Sequence, residues 1–175
     1  MLPKTIKYTS LFTIIILFSV ACGSETEQTS NSDYSSHRSY DASNLEPITI
    51  EYQSDHCDYS DKEIRSKRFG AELETEDGSH YKFCSAEHMI AFMLADETIT
   101  EDNARVRVVE FVDGGHLIHP SETTFLKTPN QPSPGGMNYL PMKKDQTHAI
   151  SRMQDLYTGD LLSWEEAQQE VAEKY

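Results

Sequence analysis

The chain has 175 residues, with 15 basic against 29 acidic side chains and a formal charge of -14. So acidic a chain does not bind nucleic acid, or an anionic lipid surface, through its own charge. It carries no phosphate loop, nucleophile elbow or zinc-protease helix motif, so the common hydrolase signatures are absent from it.

Lys4 and Lys7 open the chain, and Leu11 to Val20 is almost wholly apolar. That run is short for a mature membrane span and reads as the core of a signal peptide. Ser19, Val20 and Ala21 precede Cys22 and resemble a bacterial lipobox. The resemblance implies cleavage before Cys22 and a lipid on its sulfur, so residues 1–21 form the leader. Removing them takes two lysines and no acid, and leaves 13 basic against 29 acidic residues, a formal charge of -16. Gly23 follows without the Asp associated with inner-membrane retention. The expected location is therefore the cell envelope, anchored by lipid in the outer membrane and facing the periplasm.

Residues 22–44 are rich in Ser, Thr, Glu and Asn, with almost no aliphatic side chains. Such a stretch buries too little apolar surface to offset its chain entropy and is expected to be a flexible tether. Residues 45–175 have the length of one domain with one core.

Pro47 to Tyr52 alternates as a strand does. Phe69 to Thr75 and Ser79 to Phe83 alternate around Asp77-Gly78, which predicts a β-hairpin. Ser85 is placed to cap a helix reaching Leu94, whose apolar face is Ala86, Met89, Ile90, Met93 and Leu94. Val106 to Val112 predicts a strand turned by Asp113-Gly-Gly115, with Leu117 to His119 returning. Ser121 to Leu126 reads as a helical turn or two. Thr128 to Gly136, with three prolines and two glycines, is a loop. Met137 to Lys143 suits a strand. Asp145 is placed to cap a helix with Ala149, Ile150, Met153, Leu156 and Tyr157 on its apolar face, closed by Gly159. Leu161-Leu162 reads as a brief buried strand. Ser163-Trp-Glu-Glu166 has the capping-box pattern that opens a last helix. The fold class is α+β, a single small domain of hairpin-plus-helix units that repeat weakly.

The residues that stand out chemically are soft ligands. Cys57 lies before the hairpin with His56 beside it, and Cys84 and His88 flank the start of the first helix. Met137 sits in a Pro/Gly loop with no helical face to fill. Thiolate and thioether sulfur select Cu(I), and imidazole is compatible with it. Met89 and Met93 lie on the helix's apolar face and belong to the core. In an oxidising compartment Cys57 and Cys84 are a disulfide, a pair of soft metal ligands, or unpaired thiols. A bridge between them would stabilise the fold by about 3–4 kcal/mol in the chain-entropy picture. No base or orienting carboxylate can be placed beside either cysteine, so the chain is not read as an enzyme.

The order and spacing of these segments resemble the NosL family, lipoproteins accessory to nitrous oxide reductase. The resemblance runs from about His56 to Ala167. It rests on Cys57-Asp-Tyr-Ser-Asp-Lys62, on Arg68 to Gly78 as first strand and turn, and on Tyr81 to Met89 as strand end and helix start. Ser133-Pro-Gly-Gly-Met137 matches the family's loop methionine, and Gly159 to Glu165 its C-terminal strand and turn. Ser60 stands where the family often has a second cysteine, and Lys62 where it has a methionine. The resemblance implies a Cu(I)-binding accessory protein that delivers copper to a periplasmic metalloenzyme. Its primary ligands would be Cys57 and Met137, with Cys84, His88 or His56 completing the site. The alternative it leaves open is a scaffold of the same fold that binds a protein partner, with Cys57 and Cys84 bridged.

Overall fold

A computed structural model describes residues 49–175. The leader, Cys22 and the tether of the sequence reading lie outside the described residues. Among the described residues seven strands form two antiparallel sheets. The first has the order β2-β1-β3-β4, from β1 (Ala71–Thr75), β2 (His80–Phe83), β3 (Ala104–Val109) and β4 (Leu117–Ile118). The second has the order β6-β5-β7, from β5 (Thr123–Lys127), β6 (Tyr139–Lys143) and β7 (Asp160–Leu162). The helices are α1 (Ala86–Ala95), α2 (Thr147–Tyr157) and α3 (Trp164–Lys174).

The two sheets are built by the same ββαβ move. In each, a hairpin is followed by a helix, and the next strand returns to the free edge of the hairpin's first strand. The weak repeat in the sequence is therefore a repeat of topology. The expected hairpin is found, with Ala71 opposite Phe83 and Leu73 opposite Tyr81. Its turn needs Gly78, whose φ of +85° costs a side-chain-bearing residue strain. Asp77 completes the turn by accepting from the Thr75 hydroxyl at 2.5 Å and from the Ser79 amide at 3.0 Å.

Helix α1 is apolar nearly all round and is covered accordingly: it packs on the first sheet and against α3. Met89 and Ile90 are fully buried there beside Phe83 and Leu73. Removing one such side chain typically costs about 2–5 kcal/mol. A second, smaller core joins Phe111, Leu126, Leu140, Met142 and Met153. The capping box of α3 forms as expected: the Ser163 hydroxyl accepts from the Glu166 amide at 3.2 Å, and Glu166 accepts from the Ser163 amide at 2.7 Å.

Several expectations are corrected. Residues 49–52 make no strand. Thr49 is held instead by the Glu72 carboxylate, which accepts from its amide at 2.7 Å and its hydroxyl at 2.9 Å. Only Pro120–Glu122 makes a short 3-10 turn, and Thr123 to Lys127 is the central strand β5 of the second sheet. Helix α2 starts at Thr147 with Gln146 in the capping position, not Asp145. Leu161 belongs to β7 as a strand residue but is exposed, since β7 is an edge. Leu94 and Leu156 also face outward.

Candidate metal centre

The first ligand comes from a tight loop laid on the hairpin. His56 and Glu63 pair as an isolated bridge, and the Cys57 amide donates to the Lys62 carbonyl at 2.8 Å. The Cys57 carbonyl accepts from Ser60 and Asp61 amides, which closes the turn. The Asp58 amide donates to the Lys82 carbonyl at 2.9 Å, and the Lys82 amide returns a bond to the Asp58 carboxylate at 2.6 Å. The loop is thus registered on β2. Cys84 directly follows that strand, and His88 stands four residues on, in the first turn of α1.

These two placements converge. Cys84 Sγ lies 3.0 Å from His88 Nδ1, and Cys57 Sγ lies 3.5 Å from the same nitrogen. All three donor atoms lie within 4.8 Å of one another, and all three residues are buried. Among the described residues this is the group of metal-ligand type that the fold assembles. Both thiols are free, so the bridged form of the alternative reading is not the state described.

The pair shares one proton between two sulfurs. A hydrogen bond from Cys84, with further ones from His88 and Ser60, outweighs burial and brings the Cys57 thiol down to about 3. The Cys84 thiol moves upward, because it donates to the Cys57 thiolate and is itself desolvated. Two adjacent buried thiolates would repel, so one ionises and the other holds the proton. The set is one thiolate, one thiol and one imidazole nitrogen, all aimed inward.

The other expected residues are placed as follows. His56 is exposed and outside the cluster, because neighbours along the extended bridge point to opposite sides and Cys57 takes the inner one. Lys62 is exposed as well. The hydroxyl of Ser60 lies 4.0 Å from Cys84 Sγ. Met137 is half-buried against the main core, on a loop docked to the same helical turn. The docking is close: a Cβ on Gly135 would come within 2.6 Å of Ser85 Oγ and 2.9 Å of Glu87 Cβ. Ser85 occupies the capping position of α1 but makes no side-chain cap bond, its hydroxyl being turned into that contact.

Three neighbours of the site were not singled out by the sequence. Tyr59 lies over the His88 ring with centroids 5.2 Å apart, and Tyr175 meets Tyr59 edge-on at 5.7 Å. The Tyr175 hydroxyl donates to the Gly135 carbonyl at 2.9 Å, joining the aromatic pair to the Met137 loop. Glu87 is fully buried and accepts from Ser133 and from the Tyr139 amide. Tertiary packing brings the Tyr59 and Tyr175 rings together over His88, and no local pattern encodes it. Glu87 had a faint signal: a carboxylate set among the apolar positions Ala86, Met89 and Ile90.

The site defines a class: a small α+β domain presenting a buried donor set of two sulfurs and one imidazole, which suits a soft metal ion. No family model matches the chain, and no curated protein matches it. The domain does have the NosL fold. It is similar to the crystal structure of the copper chaperone NosL from Shewanella denitrificans, at 19% identity and a TM-score of 0.55, over 70% of this chain and 95% of that one.

Proposed function

We propose that this protein is a lipid-anchored Cu(I) carrier that delivers copper to a periplasmic metalloenzyme such as nitrous oxide reductase. The observation that carries the reading is the convergence of Cys57 Sγ, Cys84 Sγ and His88 Nδ1 in one buried spot. The fold it shares with a copper chaperone supports the same reading.

The donor chemistry suits transport. The Cys57 thiolate supplies charge and most of the affinity. Cys84 gives up its proton as it ligates, so loading releases a proton. His88 adds a neutral nitrogen, and Met137 is the thioether in this reading, neutral and selective for Cu(I). Few ligands and a neighbouring loop favour release, because an acceptor's sulfur or imidazole can enter before the last bond breaks. Ser60 in place of a second loop cysteine keeps the set from closing into a thiolate cage.

The membrane attachment follows from the lipobox-like Leu17-Phe-Ser-Val-Ala-Cys22. Among the described residues no helix is long and apolar enough to cross a membrane. The partner-binding scaffold is the second reading, and the free state of both thiols disfavours it.

Titration of the reduced mature chain against a competing Cu(I) chelator tests the proposal. The expected result is one tightly held Cu(I) per chain. No measurable binding by the fully reduced protein would overturn it in favour of the scaffold.

A further inference from the structure

We propose that Glu87 is a positioning residue: its buried carboxylate fixes the Met137 loop against the Cys84–His88 turn, and so sets where the thioether stands relative to the other donors. The consequence for copper rests on the function proposed above.

Glu87 has 0% exposure. A carboxylate so deep normally sits against a cation, since burial of a lone charge is costly. Here the carboxylate meets the loop. Its Oε1 accepts from the Ser133 hydroxyl and from the Tyr139 amide at 3.3 Å. Glu87 stands in the first turn of α1, where an acidic side chain suits the positive end of the helix dipole.

These two bonds grip the loop on both sides of Met137. Inside the grip the loop is closed on itself. Ser133 Oγ accepts from the Asn138 amide at 2.9 Å, the Ser133 amide donates to Asn138 Oδ1 at 3.2 Å, and the Gly136 amide donates to the Ser133 carbonyl at 3.0 Å. Met137 is therefore bracketed by Gly136 and Asn138, whose backbones these bonds fix. Glu87 is also the neighbour of His88 in sequence. One side chain thus ties the thioether's loop to the turn that carries Cys84 and His88.

The second oxygen, Oε2, is buried with no hydrogen-bond partner. Glu87→Gln keeps an oxygen that can accept both bonds, while Glu87→Ala removes them.

The test uses the reduced mature chain carrying methyl-labelled methionine, with Met137→Leu assigning the resonance. Before any copper is added, the Met137 methyl signal should shift toward its unfolded-chain position in Glu87→Ala and stay in place in Glu87→Gln. Ser133→Ala, which breaks the same contact from the loop side, should move it too and serves if Glu87→Ala does not fold. Cu(I) affinity should fall by about 10-fold or more in Glu87→Ala, the range typical of residues that orient ligands. The double variant Glu87→Ala/Met137→Leu should then lose no more affinity than Met137→Leu alone, since the bonds that Glu87 makes act on copper only by placing the Met137 loop. An unmoved methyl signal in Glu87→Ala and Ser133→Ala overturns the inference, and so do fully additive losses. If the parent binds no Cu(I), the proposed function fails, and the methyl signal still decides whether Glu87 holds the loop.

Discussion

Cys57 Sγ lies 3.5 Å from His88 Nδ1, although 31 residues separate them. The contact exists because the Asp58–Lys82 backbone pairing lays the Cys57 loop on β2, and β2 runs directly into the cap of α1. The pairing of Asp58 with Lys82 therefore decides whether the two ligands meet.

Cys57→Ser is expected to weaken Cu(I) binding far more than Met137→Leu, because it removes the anionic ligand where the other removes a neutral one. The loss should exceed the roughly 10- to 100-fold effect typical of residues outside the ligand set. Met89→Leu is the control: Met89 is fully buried as a core residue of α1, and the change should alter affinity little. Chelator competition on the three variants measures the order. Equal losses in Cys57→Ser and Met89→Leu would show that only packing had been disturbed.

The first sheet was readable in the sequence because each signal was local. Asp77-Gly78 marked the turn, the apolar face of α1 had helical spacing, and Ser163 with Glu166 marked the start of α3. Strand β5 was not readable for a physical reason. Phe125 faces the larger core and Leu126 the smaller one, so both faces are covered and the alternation that marks a half-exposed strand is erased. Pro47 to Tyr52 misled in the opposite way. Its alternation is real, but Thr49 is bound by a carboxylate side chain where a strand would need a backbone partner. Of the candidate site, Cys84 and His88 were legible as a pair one helical turn apart. Cys57 was singled out by its residue type and its place before the hairpin. Nothing in the sequence showed that His56 takes the outer side of the bridge and Cys57 the inner.

The shared proton predicts a pH dependence. Unfolded, a cysteine thiol titrates at about 8.5; folded, Cys57 titrates at about 3. Between those values the unfolded chain binds a proton that the native one does not, so this group's contribution to stability rises with pH. It is fully present above the unfolded value and lost as pH falls through about 3. Cys84 acts in the opposite sense: its folded titration is raised, so its contribution is present below the unfolded value and fades as pH rises above it. Ultraviolet thiolate absorbance of the reduced protein in mildly acidic solution should report one thiolate, absent in Cys57→Ser. Full protonation of both sulfurs there would contradict the pairing.

Membrane attachment is expected to depend on Cys22. The basic start, the apolar run and the small residues before Cys22 are the features that a lipoprotein leader needs. Cys22→Ala should release the protein from the membrane fraction or block its maturation. Fractionation and gel mobility identical to the parent's would show that Cys22 carries no anchor.

Gly135→Ala should disturb the candidate centre without touching any ligand. The new methyl would lie 2.6 Å from Ser85 Oγ and 2.9 Å from Glu87 Cβ, closer than van der Waals contact allows. Glu87 Cβ is fixed to the helix backbone and cannot swing away, and Ser85 Oγ is buried with no hydrogen-bond partner to guide it elsewhere. The loop must therefore lift from α1. Overpacking of this kind typically costs about 1–3 kcal/mol. Lifting the loop also strains the bonds that Lys174 and Tyr175 make to the Gly135 carbonyl, at 3.2 and 2.9 Å. Thermal unfolding should show the destabilisation, and the tyrosine spectrum should change as Tyr175 leaves Tyr59. In the Cu(I) competition assay the variant should resemble Met137→Leu, because the thioether moves with the loop while Cys57, Cys84 and His88 stay where the hairpin and helix hold them. Loss of all binding in a folded Gly135→Ala protein would mean that the loop supports the two cysteines directly, contrary to this account.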